Sequence, residues 1–268
     1  ALPIYKRPWV RRHVWNSVTF IPEIKKLIVV AANDEKVDKF FYVYDPEKSD
    51  WVSRHPVAEG MTTNAHHNQV RWTKHGVFDW YSKSFWLLDH NNMTWKKIDF
   101  KGTVGPTIVD GCGLVYDSKR DRVLCFTLGG YAKPYDGIIY SYDFKTNQVE
   151  TLNNGEIPLN PAKPWRMYLR EMVFIPDQDI IIFPGVLEIG KEKFADQYVG
   201  YDTAKNTWVT IKLATTARFP TGQVNLSIAY DAKRQMVWLG DASWDGAVWV
   251  LKFNAKTAEI LPLKPKFE

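Results

Sequence analysis

No apolar run in this chain reaches the length of about 18 residues that a membrane-crossing helix needs. Membrane insertion is therefore not expected. There are only 2 cysteines, Cys112 and Cys125, and neither their number nor their spacing makes a zinc site. They sit on neighbouring segments around the polar stretch from Asp117 to Arg122, where a bridge between adjacent strands would be strained. Two buried thiols are expected instead. Clustered basic runs are also missing: the net charge of +5 is spread along the chain, so nucleic acid is not an expected partner. No Gly-x-Ser-x-Gly elbow and no phosphate-binding loop occurs. Helical periodicity is missing throughout. No cofactor and no metal is expected, because no spacing of His, Cys or carboxylates supports a ligand set.

What is abundant is aromatic residues, 15% of the chain with 12 Trp, and a repeated pattern. FYVYDPEKSDW, ending at Trp51, combines an alternating apolar run, a polar turn and an apolar residue six positions after the turn Asp. The pattern returns ending at Trp95, Val149, Trp208 and Ile260, with turn residues Asp45, Asp89, Asp143, Asp202 and Asn254 spaced 44, 54, 59 and 52 apart. Repeats of roughly this length built from short strands are the signature of propeller blades. The expected fold is all-β: one β-propeller domain over residues 1–268, with four-stranded antiparallel blades near 13–57, 64–100, 110–152, 168–213 and 225–263. Five repeats make either a small wheel or part of a six- or seven-bladed one. The chain begins at Ala1 without Met, which fits a removed signal peptide or a piece of a larger chain. A secreted or periplasmic location is the corresponding expectation. Residues 1–12, basic with two prolines, read as a lead-in along an edge strand.

Four strands a to d per repeat sort the connections. The a–b and c–d turns, such as DSKRD, DAKRQ and DTAKNT, are short and polar and share one end. The d–a and b–c connections are longer, share the other end, and hold nearly all the chemistry-bearing residues. The d–a segments supply Arg12 and His13, the run His66, His67 and Asn68, the run Trp165, Arg166, Tyr168, Arg170 and Glu171, and Asn225. The b–c segments supply Tyr131, Tyr135, the run from Leu187 to Gln197, and Trp244 with Asp245. Rings beside hydrogen-bonding groups suit a sugar, and Arg suits a carboxylate or sulfate.

The candidate catalytic residues are His66, His67, Tyr168 and Arg170. Adjacent histidines on a strand point to opposite sides, so one of the pair faces the site. Arg would neutralise a uronate carboxylate, His would take the C5 proton and Tyr would protonate the leaving oxygen. Arg12, His13, Asn68, Trp165, Arg166, Glu171, Asn225 and Trp244 are the candidate substrate-binding residues. The bland alternative has Arg166 and Arg170 pairing with Glu171 or Asp245 to tie blades together. Paired-carboxylate hydrolysis fits less well, since few acids fall in these segments.

Gly129-Gly130 after strand b, together with the turn-plus-Trp pattern, resembles the kelch repeat over nearly the whole chain. The glycine pair is degenerate elsewhere, reading Ala31-Ala32, Pro184-Gly185 and Gly240-Asp241. That resemblance implies a propeller of the kelch and galactose-oxidase type. It also implies an alternative function as a protein-binding module. The copper chemistry of galactose oxidase needs a Tyr crosslinked to Cys, and no such pairing is evident here. In residue type the loop segments are also similar to propeller polysaccharide lyases. The expected function is thus an axial site for an acidic polysaccharide or oligosaccharide, processed by β-elimination or simply bound.

Overall fold

The computed structural model describes residues 17–30, 39–63, 69–81, 83–104, 113–126, 138–154, 172–189, 192–212, 226–241, 248–252 and 259–262. Within them the chain forms antiparallel sheets in sequence order, the five blades of a β-propeller. The first sheet contains β1 (Val18–Ile21), β2 (Lys26–Val30), β3 (Phe40–Asp45) and β4 (Asp50–Pro56). The second contains β5 (Gln69–Thr73), β6 (Gly76–Tyr81), β7 (Ser84–Asp89) and β8 (Thr94–Ile98). The third contains β9 (Gly113–Asp117), β10 (Arg122–Phe126), β11 (Ile138–Asp143) and β12 (Gln148–Asn154). The fourth contains β13 (Val173–Ile175), β14 (Ile180–Ile189), β15 (Glu192–Asp202) and β16 (Thr207–Lys212). The fifth contains β17 (Leu226–Asp231), β18 (Met236–Asp241) and β19 (Val248–Lys252). A single 3-10 turn, Pro176–Gln178, is the helical element among the described residues.

The repeated turn explains the repeated sequence. Eight hairpins close with a residue in the left-handed region at their last turn position: Lys25, Ser49, Met93, Asp121, Asn147, Asp179, Asn206 and Gln235, with φ between 49° and 56°. The Asp that opens the turn accepts backbone N–H groups through its carboxylate. Asp45 Oδ1 takes those of Glu47 and Lys48, and Asp202 Oδ1 those of Ala204 and Lys205. Asp89, Asp117, Asp143 and Asp231 do the same with Asn91, Arg120, Thr146 and Arg234. This is the local side-chain bond that favours Asp in turns.

One hairpin uses another solution. Between β5 and β6 the turn ends at Gly76 with φ +125°, and a Cβ there would lie 2.3 Å from the Leu88 carbonyl oxygen. Gly76→Ala is expected to cost about 1–3 kcal/mol through backbone strain alone. A urea unfolding curve would show it as a lowered midpoint with an unchanged slope.

Strand alternation divides each sheet between two neighbours. In β10 every residue is buried. Val123 and Cys125 face the cluster shared with the second sheet, whereas Leu124 and Phe126 face the cluster shared with the fourth. In β14, Ile181 and Phe183 face back to the third sheet while Ile180 and Ile182 face the fifth. Cys125 is a buried thiol; Cys112 and Gly129-Gly130 lie outside the described residues.

Two features depart from the sequence reading. The run from Leu187 to Gln197 is expected as a b–c loop. Instead β14 and β15, 10 and 11 residues long, continue as a paired hairpin through Leu187↔Phe194 and Ile189↔Glu192. Charged residues made this run look like a loop, but cross-strand pairing extends across them. The fifth repeat is expected to finish its own blade. Instead its last strand, β20 (Glu259–Pro262), pairs antiparallel with β16 on the outside of the fourth blade, through Ile211↔Ile260 and Val209↔Pro262. The fourth sheet therefore has five strands and the fifth has three.

Candidate functional site

Contacts between neighbouring hairpins show that the a–b turns share one end of the wheel. Trp72 Nε1 at the end of β5 donates to Glu23 Oε2 in the first turn, at 2.9 Å. Lys74 Nζ lies 2.9 Å from Asp121 Oδ2, and His75 Nε2 lies 2.9 Å from Asp121 Oδ1 while its ring stacks on Phe144. Tyr116 donates its hydroxyl to the same carboxylate at 2.7 Å. From the third blade, Arg120 Nη1 donates to Asp179 Oδ1 at 2.8 Å and to Thr203 Oγ1 at 3.0 Å. Lys119 also pairs with Asp179. Beneath them the buried Arg122 donates from Nε to Asp117 Oδ2 at 3.0 Å, and from Nη2 to the Thr203 carbonyl at 2.8 Å and to Asn206 Oδ1.

This network pairs many of the charges of the turn end with one another. Burial works against charge on Asp121, but Lys74, Tyr116 and His75 outweigh it and hold the carboxyl below its ordinary range. Asp179 follows the same pattern, with Lys119 and Arg120 outweighing burial. A carboxylate depressed on folding stabilises the fold fully above its unfolded pKa of about 3.9 and loses that contribution as pH falls through the folded value. Urea midpoints are thus expected to change little from these groups between pH 7 and 5 and to drop below about pH 4. Asp179→Asn should flatten part of that acid limb.

The opposite end is where each strand a begins and each strand d finishes. All twelve residues singled out from the sequence fall outside the described residues. Arg12 and His13 precede β1, and His66, His67 and Asn68 directly precede Gln69 of β5. Trp165, Arg166, Tyr168, Arg170 and Glu171 precede β13, Asn225 directly precedes Leu226 of β17, and Trp244 falls between β18 and β19. The extended part of the β14–β15 hairpin lies at the end opposite the turns.

Three polar side chains that the sequence reading passed over belong to this region. Ser17 and Gln69 stand at the starts of the neighbouring inner strands β1 and β5, both buried, and Ser17 Oγ and Gln69 Oε1 have no hydrogen-bond partner among the described residues. Arg71 on β5 crosses to the third blade, its Nε donating to the Leu114 carbonyl at 2.6 Å. Their one signal in the sequence is a polar residue opening or interrupting an apolar inner strand. His55, near the end of β4, has its pKa lowered by burial, stacks on Phe41 and lies 2.9 Å from Ser53 Oγ. It sits on the outer strand, away from the inner ones. The Tyr198 and Tyr201 hydroxyls are pushed up by burial, and burial with the Asp143 charge pushes Tyr142 up to about 12, so these three stay neutral and structural. Among the described residues no group of three or more His, Cys, Asp or Glu is placed to hold a metal ion, and no helix is long and apolar enough to cross a membrane.

The fold and the division between a tied turn end and a loop end define a β-propeller of the kind that serves binding or catalysis. No protein-family model and no curated protein matches the chain. Among solved structures it is similar to Kuenenia stuttgartiensis hydrazine synthase, at 14% identity and a TM-score of 0.49 over 83% of this chain. This chain spans 60% of the length of that one. A likeness so distant carries no argument about what this protein does.

Proposed function

We propose that this propeller takes an acidic glycan at its loop end. The observation that carries the reading is the division of labour between the two ends. Many charges of the described turn end pair with one another, while the sequence assigns the histidines, arginines and tryptophans to the segments that join strand d of one repeat to strand a of the next. The net charge of +5 supports an anionic ligand.

The reaction that uses these residue types is β-elimination at a uronate. Arg170 lowers the charge on the C6 carboxylate, which acidifies the C5–H. His67, or His66 in its place, removes that proton. The electron pair forms the C4=C5 bond, the C4–O bond breaks, and Tyr168 gives its proton to the departing glycosidic oxygen. A substrate of this kind is met in a secreted or periplasmic setting.

The experiment is a screen of acidic polysaccharides and their oligomers, following the absorbance of the unsaturated uronate product. His67→Ala and Tyr168→Phe are each expected to lower the rate by about 100-fold or more. Binding of a glycan or a protein with no product from any substrate would remove the catalytic roles and leave a recognition wheel.

A further inference from the structure

The strand β20 fits two edges of the wheel. In the first four blades strand d returns from strand c through a short turn, and one register recurs. The turn Asp pairs with the residue five positions on, as in Asp89↔Thr94 and Asp202↔Thr207. The residue before that Asp faces the apolar residue that follows: Tyr44↔Trp51, Leu88↔Trp95, Tyr142↔Val149 and Tyr201↔Trp208. The fifth repeat has the same spacing, with Asn254 opening the turn and Ile260 six positions on. Its register sets Ile260 opposite Phe253 and Leu261 opposite Lys252 at the end of β19. The structure seats Glu259–Pro262 on β16 instead, with Ile260 opposite Ile211 and Leu261 opposite Thr210. Among the described residues β19 pairs with β18 alone.

The fifth turn differs from the other four in sequence at two positions. In those four the last turn residue is left-handed, at Ser49, Met93, Asn147 and Asn206. The residue that opens each turn is Asp45, Asp89, Asp143 or Asp202, and its carboxylate accepts backbone N–H groups. The fifth repeat has Ala258 and Asn254 at these positions, both outside the described residues. Alanine in the left-handed region crowds its Cβ against the backbone and has no polar side chain to compensate. A neutral amide oxygen is a weaker acceptor than a carboxylate. The two seats are otherwise alike, since each pairs the same four residues antiparallel with a strand edge.

We propose that β20 is an exchangeable strand with two berths, the outer edges of β16 and β19, and that the weak turn at 254–258 biases it to β16. Seating on β19 completes the fifth blade with a fourth strand. It also opens the edge of β16 to another extended segment. The device is independent of the glycan reading.

Hydrogen–deuterium exchange read by mass spectrometry tests it on the 268-residue chain. Fragments that cover β16 and β19 report the two edges. Asn254→Asp combined with Ala258→Gly supplies the turn that the other blades have. In this double variant the outer-edge amides of β16 are expected to exchange at least tenfold faster, and those of β19 at least tenfold slower. Ala258→Val, which suits the left-handed position no better, should keep the native pattern. Unchanged exchange in β10 and a native circular dichroism spectrum show that each variant folds. Equal protection of β19 in the native chain and the double variant overturns the proposal, because β20 then has one berth or another segment holds the β19 edge. Faster exchange at β16 with no gain at β19 overturns it equally.

Discussion

Asp117→Ala lowers the unfolding free energy by about 3–5 kcal/mol, the range for stripping one partner from a buried ion pair. Asp117 is wholly buried at the end of β9, and its carboxylate holds Arg122 Nε at 3.0 Å and Arg120 Nη1 at 3.2 Å. Both guanidiniums also bridge to the fourth blade, Arg122 through Thr203 and Asn206, Arg120 through Asp179. Without Asp117 a buried cation loses its counter-charge and the seam between two blades loosens. For a chain of this size the change corresponds to a fall in melting temperature of about 10 °C. Asp117→Asn keeps an acceptor and should cost less. Removing Asp117 and Arg122 together should cost less than the sum of the single changes, which a double-mutant cycle would measure.

Trp208→Ala is expected to cost about 3–5 kcal/mol, whereas Trp51→Ala, at the same position of the repeat, costs about 1–2 kcal/mol. Trp208 sits between the third and fourth blades with Phe126 at 5.7 Å, Phe183 at 5.3 Å and Tyr201 at 5.4 Å, and its removal leaves a void bounded by rings that have no other place to go. Trp51 touches Tyr42 and Tyr44 of its own blade, on the face that no described blade covers. The same substitution thus measures how much of a tryptophan's burial comes from stacking blades. Equal losses at both positions would show that the blades are stable as separate sheets.

The wheel is legible in the sequence because two physical requirements recur at fixed distance. A turn Asp must accept backbone N–H groups, and an apolar residue six positions later must fill the gap between sheets. Pairing that ignores the repeat is not legible. The run from Glu188 to Lys193 is charged and contains a glycine, so it reads as a loop. Its one hairpin signal is the Gly-led pair Gly190-Lys191 between the paired residues Ile189 and Glu192. The site is legible by residue type alone. Spacing assigns His67, Tyr168 and Arg170 to the segments that precede β5 and β13 in sequence. Their mutual distances depend on connections whose lengths obey no repeat. Ser17 and Gln69 escaped notice because nothing in a sequence says that a polar atom has been left without a partner.

The strand that crosses from the fifth repeat to the fourth blade sets an order of events during synthesis. The first three blades take all their strands from consecutive sequence, so each can be completed as soon as its own last strand has emerged. The fourth cannot. The outer edge of β16 waits until the ribosome has released the chain through Pro262, long after the rest of that sheet is made. Blade four is therefore sealed later than the three before it, and the growing chain carries an open strand edge until β20 arrives.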